Sequence, residues 1–146
     1  HFTVRDYGNR IGIYRILREL DARGIKATFA INAEIAKRYP PLVETIIASG
    51  HEIAAHGVST ADIHHDGLSE TDERALIAEA RAAFPDATTW MSPARNESYR
   101  TLDLISDVGF EGFGIFLIFE GKIQTNVSDD VIKTTKTLFS HNGKTL

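Results

Sequence analysis

Apolar residues recur along this chain in two alternating rhythms. Over residues 10–23, Ile13, Ile16, Leu17 and Leu20 fall at i, i+3, i+4 and i+7, which predicts a helix burying that face. Gly24 follows, where a helix end takes a positive φ, and "KATFAIN" then reads as a short strand ending at Asn32. The same order returns. "PLVETIIAS" predicts a helix closed by Gly50, with "HEIAAH" as the strand behind it. Residues 69–84 predict a third helix, opened by Ser69 with Asp72 three positions on and supported by the pair Glu70 and Arg74; the strand "ATTWMS" follows. Last, "SYRTLDLISDV" predicts a helix, Gly109 its cap, and "FEGFGIFLIF" one strand. From Lys122 the chain is polar and irregular, and a strand is expected there only near 131–139.

Helices alternating with strands every roughly 25 to 35 residues predict an α/β fold of repeated βα units and a mainly parallel sheet. Ligands of such sheets bind at the C-terminal ends of the strands. That rule directs attention to Asn32, to His56 and the loop after it, and to Ser92 with "PARNES". About four βα units are visible, against the roughly 250 residues of a closed barrel. The chain therefore reads as one domain over residues 1–146, about half of a barrel, whose open strand edges a second copy or another partner would cover. A start at His1 and an end at "NGKTL" read as a piece of a longer protein, with any signal peptide out of view.

Composition narrows the chemistry. The 146 residues are 42% hydrophobic and 25% charged, as in ordinary globular proteins, and the net charge of −4 gives no reason to expect nucleic acid or an anionic membrane as partner. The longest apolar run, "FGIFLIF", is far short of a membrane span. There is no cysteine, which excludes disulfides and thiolate chemistry and leaves the compartment open. Neither a glycine-rich phosphate loop nor a G-x-S-x-G elbow occurs.

Four of the six histidines crowd into "GHEIAAHGVSTADIHH". His51 and His56, five positions apart, point to opposite faces of a strand and lie about 16 Å apart, so they cannot share a site. His56 ends its strand and precedes Gly57, where a catalytic imidazole is expected; a strand-end histidine held by a hydrogen bond is the plain alternative. His64 and His65 read as exposed loop residues, the alternative being a loop that folds back to bring one of them over His56. Spacing gives little support for zinc, because no H-x-x-x-H pair occurs and position 60 is Thr60. Arg95 is placed to clamp an anion or carbonyl group, or is simply solvated; Asn96 or Glu97 is expected to begin the next helix.

"GIKATFAIN", "GHEIAAHG" and "TLDLISDVGFE", in this order and spacing, resemble the polysaccharide deacetylase (NodB homology) superfamily over about residues 5–111. The opening "DYGNRIGIYRILRELDARGIKATFAIN" is most similar to its allantoinase-like branch. The resemblance implies a distorted (β/α) barrel that hydrolyses a carbon–nitrogen bond other than a peptide bond, in an N-acetylated amino sugar or a small cyclic amide or ureide. It also implies a divalent metal such as zinc in members that use one. Their H-[ST]-x-x-H motif maps onto His56-Gly57-Val58-Ser59-Thr60, keeping the first histidine as a candidate ligand and placing Thr60 where the second belongs. Their R-x-P motif maps onto Met91-Ser92-Pro93, and the first-strand aspartate pair falls before His1. Asp129-Asp130 loosely resembles an N-D-D segment of the allantoinase-like members. Threonine does not replace imidazole as a zinc ligand. The expectation is therefore a site with His56 as acid–base or orienting group, Asn32, Ser59, Thr60, Ser92, Pro93 and Arg95 around the substrate, and either no cofactor or a divalent metal. The alternative is an inactive relative that binds carbohydrate or protein.

Overall fold

A computed structural model describes residues 4–113, together with the backbone of 115–119 and 122–126. Its first helical stretch runs α1 (Val4–Tyr7), a π turn (Gly8–Gly12) and α2 (Ile13–Ala22). Then follow β1 (Thr28–Ile31), α3 (Ala33–Arg38), α4 (Pro40–Ala48), β2 (Glu52–Ala55), α5 (Glu70–Ala83), β3 (Thr89–Trp90), α6 (Thr101–Asp107) and β4 (Gly112–Phe113). These four strands form one parallel sheet in the order β1-β2-β3-β4, which is not closed. A separate antiparallel pair joins β5 (Ile115–Phe119) to β6 (Lys122–Asn126).

The register sorts the two faces of the sheet. Ile31, Ala55, Trp90 and Phe113 pair in one row across the four strands, all buried, and pack with Leu42, Ile46, Ile77 and Ile105 from α4, α5 and α6. Each large side chain in this layer contributes about 1.5–3 kcal/mol of hydrophobic stabilisation. The opposite face carries the row Ala30, Ala54, Thr89 and Gly112, all small. Below it the Glu52 carboxylate accepts from Thr28 and Thr89, each at 2.5 Å. Strand parity puts Asn32, His56 and Met91 on this small-residue side, just past the strand ends.

Several elements depart from the sequence expectation. The helix expected over 10–23 begins in the first residues described, and Ile16 is 53% exposed while Leu17 is buried, so the buried face is narrower than the periodicity implies. The segment directly after Asn32, for which the pattern predicts no element, is α3. "FEGFGIFLIF" divides between β4 and β5, which belong to different sheets, and β6 occupies the stretch read as irregular. The helix expected to begin at Asn96 or Glu97 starts at Thr101. The strand expected near 131–139, and Asp129-Asp130, lie outside the described residues. The capping reading of α5 holds: Ser69 Oγ accepts from Asp72 N at 3.1 Å, and Arg74 reaches Glu70 at 3.0 Å.

Candidate active site

His56 is half-buried directly beyond β2, where its backbone N–H continues the ladder to Ile31. Its Nδ1 lies 2.7 Å from the carbonyl oxygen of Met91, just past β3. A carbonyl only accepts, so Nδ1 carries the proton, and the neutral ring presents Nε2 as a basic lone pair. No hydrogen bond among the described residues engages Nε2. The Asn32 amide donates to the His56 carbonyl oxygen, tying the end of β1 to that of β2.

The loops beyond β2 and β3 interlock at Gly57. Its φ is +67°, and a Cβ there would stand 2.4 Å from Pro93 Cγ, so only glycine allows the approach. Beyond Pro93 the chain turns through two consecutive left-handed residues, Ala94 (φ 54°) and Arg95 (φ 59°). Such conformations cost about 1–3 kcal/mol each outside glycine and collect at functional sites. Glu97, two residues beyond Arg95, is half-buried, and a hydrogen bond from the Ser92 side chain favours its charged form. Ser92, itself buried, accepts from Trp90 Nε1 at 2.9 Å. Its own hydroxyl proton is thereby left for Glu97. Burial raises the Glu97 carboxyl to about 7 against the opposing pull of that hydrogen bond.

A buried polar cluster holds both loops from behind. Glu73 on α5 accepts from Ser98 Oγ at 2.7 Å and Thr101 Oγ1 at 2.6 Å, and His64 Nδ1 lies 3.2 Å from it. Arg100 binds the Leu68 carbonyl oxygen at 2.7 Å and approaches Glu73 at 3.6 Å, while Tyr99 N–H donates to Asp66 at 2.9 Å. Burial works to raise Glu73, but the hydrogen bonds from Thr101, Ser98 and His64 outweigh it and hold the carboxyl below its ordinary value. Burial depresses His64, with Glu73 opposing.

The expected site residues therefore separate. Asn32, His56 and the Gly57–Pro93 contact gather at the strand ends, whereas Ser92 is buried with its hydroxyl turned to Trp90 Nε1 on the core side. Ser59 is buried and committed to a local turn, donating to Asp62 at 2.6 Å and accepting from Ala61 N–H at 3.1 Å. Thr60 and Arg95 are exposed on the two loops. His51 is buried at the opposite end of β2, accepting from Ala27 N–H at 3.3 Å, as its spacing from His56 requires. His64 is not an exposed loop residue: it is fully buried edge-on to Trp90, ring centroids 5.5 Å apart. His65 is exposed and accepts from Gly67 N–H. Glu97, expected only as a helix start, is instead a half-buried loop carboxyl. Hollows of about 250 Å³ beside His51 and about 430 Å³ between α2 and β1 are lined by neither His56 nor Glu97.

A catalytic zinc takes three protein ligands and keeps an open position. Here His56 offers one nitrogen, Thr60 stands at the second motif position, and Asp62 is turned to Ser59. Among the described residues no three histidine or acidic side chains gather. The donor set described does not fit such an ion. Among the same residues, no helix is long and apolar enough to cross a membrane.

A family model described as polysaccharide deacetylase matches residues 6–112. A chitooligosaccharide deacetylase from Sinorhizobium fredii (strain NBRC 101917 / NGR234) is 29% identical over 90 residues, covering 60% of this chain and 42% of that protein. Among solved structures, one from Mycobacterium smegmatis assigned to the polysaccharide deacetylases superposes with a TM-score of 0.64 at 24% identity, over 84% of this chain and 46% of that one. The PuuE allantoinase superposes with a TM-score of 0.62 at 26% identity, over 82% of this chain and 44% of its own. The chain thus spans less than half the length of each of these relatives.

Proposed function

Because the chain belongs to the polysaccharide deacetylase family, we propose that it serves a hydrolase acting on carbon–nitrogen bonds other than peptide bonds. The substrate is an N-acetyl group on an amino sugar, the chemistry named for the chitooligosaccharide deacetylase it resembles, or the ring of a small cyclic amide or ureide, as for the allantoinase. The observation that carries this reading is the 2.7 Å approach of His56 Nδ1 to the Met91 carbonyl oxygen at the C-terminal end of β2, which leaves Nε2 as the basic nitrogen.

In this reading His56 Nε2 takes a proton from water as the water oxygen adds to the amide carbon and the carbonyl electron pair moves onto oxygen. The tetrahedral carbon then expels nitrogen, which leaves with the bonding pair and a proton, giving a carboxylic acid and an amine. Arg95 and Thr60, exposed on the two loops, are the side chains free to meet the carbonyl oxygen and the substrate's hydroxyl groups. Asn32, Ser59, Ser92 and Pro93 hold the loops that carry them.

The test is acetate release from chitooligosaccharides beside ring opening of cyclic ureides, with His56→Ala as control. One of the two substrate classes turns over, and His56→Ala lowers kcat/KM by about 10²–10⁴-fold. Binding of oligosaccharide by calorimetry with no turnover of either class would replace the enzyme by a carbohydrate-binding relative.

A further inference from the structure

We propose that His64 is a proton-operated latch on the loop between β2 and α5. Neutral and buried, it pins that loop to the core; on taking up a proton it releases the loop while the sheet and helices stay folded. The inference is independent of the hydrolase reading above, although the released segment carries Thr60.

Residues 56–69 join β2 to α5 with neither helix nor strand. Both ends of this segment are tied. The carbonyl groups of Gly57 and Val58 accept from α3, Asp66 accepts from Tyr99 N–H at 2.9 Å, and the Leu68 carbonyl accepts from Arg100 at 2.7 Å. Between them the polar contacts are local: Ser59 closes on Asp62, Ile63 N–H on the Ala61 carbonyl, and Leu68 N–H on that of His65. From Thr60 to Ser69 every residue is exposed or half-buried except His64, which is fully buried. The middle of the loop therefore rests on one side chain, and that side chain titrates.

The Glu73 carboxylate only accepts, so the 3.2 Å contact uses the proton on His64 Nδ1 and leaves Nε2 as the lone pair. Nε2 is sealed from solvent and has no hydrogen-bond partner among the described residues, and the ring stands edge-on to Trp90. A proton arriving there creates a donor without an acceptor and a cation in a closed core, both of which burial disfavours. The counter-charge in contact, Glu73, is already shared: Ser98 and Thr101 donate to it at 2.7 and 2.6 Å, and Arg100 approaches to 3.6 Å. On the loop itself Asp62 favours the charged ring and His65 opposes it. Burial outweighs the pull of Glu73 and Asp62 and holds His64 below its ordinary value. The imidazolium is therefore stable only in water, and reaching water means lifting the loop. Lifting uncovers little besides the ring, because its neighbours are already solvated, so the opening is local.

Trp90 is the only tryptophan of the chain, so its emission reports the latch. The experiment titrates wild type and His64→Gln, which keeps a donor for Glu73 and lacks a titrating ring, between about pH 7.5 and 5. In wild type the emission moves to the red as pH falls below 6.5. Amide exchange over residues 60–69, corrected for its intrinsic pH dependence, quickens about tenfold per pH unit, the slope of one proton taken up on opening. Far-UV circular dichroism and exchange in β2 and α5 stay constant. In His64→Gln both readouts are flat. Wild-type emission and exchange without this pH dependence overturn the latch. So does a change that melts α5 and β2 with the loop, or one that persists in His64→Gln. Should His64→Gln fail to fold, the wild type decides: the His64 ring carbons must titrate by NMR in step with loop exchange. A ring that takes its proton while 60–69 stay protected overturns the proposal equally.

Discussion

Ser92 sits between two obligations, and its hydroxyl meets both: it accepts from Trp90 Nε1 and donates to Glu97. Ser92→Ala removes both bonds at once. The indole N–H, fully buried, is left without an acceptor, which costs about 1–3 kcal/mol. Glu97 loses the one interaction that favours its charged form, so its carboxyl should titrate above the wild-type value of about 7. Carbon-detected NMR titration of the side-chain carboxyls checks the sign. A downward or null displacement would mean that Ser92 does not donate to Glu97. The same relay explains why the residue was only half legible. Ser92 is visible in the sequence as the middle of Met91-Ser92-Pro93, but its partners depend on how one loop folds over another. For Glu97 no local pattern encodes burial at all, and a glutamate between Asn96 and Ser98 reads as a helix start or a solvated loop.

Elements were legible where a period and a stop coincide. Helices α2, α4 and α6 each carry an apolar stripe closed by a glycine, Gly24, Gly50 and Gly109, all of positive φ, and α5 carries its Ser69 cap. The six residues of α3 are too few to show a period, and its partners, the carbonyl groups of Gly57 and Val58 that accept from Ala33 and Glu34, are distant in sequence. The division of "FEGFGIFLIF" into β4 and β5 was hidden because a continuous apolar run does not say which sheet each part joins. Ile16 fits the stripe yet faces outward, since i, i+3, i+4 spacing marks a face without fixing its width. The tertiary element that matters most for the site is the Gly57–Pro93 contact. Gly57→Ala forces a left-handed alanine and a 2.4 Å approach to Pro93 Cγ, so the loop must shift or open. A loss of about 1–3 kcal/mol in urea unfolding is expected, with a lower kcat on whichever substrate the wild type accepts. Unchanged stability would show that the two loops are not interlocked.

Across the molecule, two buried titratable groups, His64 and Glu73, and the half-buried Glu97 pull the pH dependence of stability in opposite directions. His64 and Glu73 are both held below their ordinary values, so the stability they contribute is present at neutral pH. It is lost as pH falls, for His64 below its ordinary value of 6.5 and for Glu73 below 4.5. Glu97 is raised, so its contribution is full below its ordinary value of 4.5 and disappears as pH climbs through about 7. Between these limits, acidification weakens the cluster behind Trp90 while it relieves the carboxyl at the strand ends, and the two slopes offset each other. Glu97→Gln removes one slope and leaves the other. The melting temperature of the variant should match wild type near pH 4.5 and exceed it by roughly 2–4 °C above pH 7.5, the displacement that about 1 kcal/mol gives in a domain of this size. Melts at half-unit intervals measure the opening of that gap directly. A gap that is constant across the range would mean the Glu97 carboxyl is not displaced by burial.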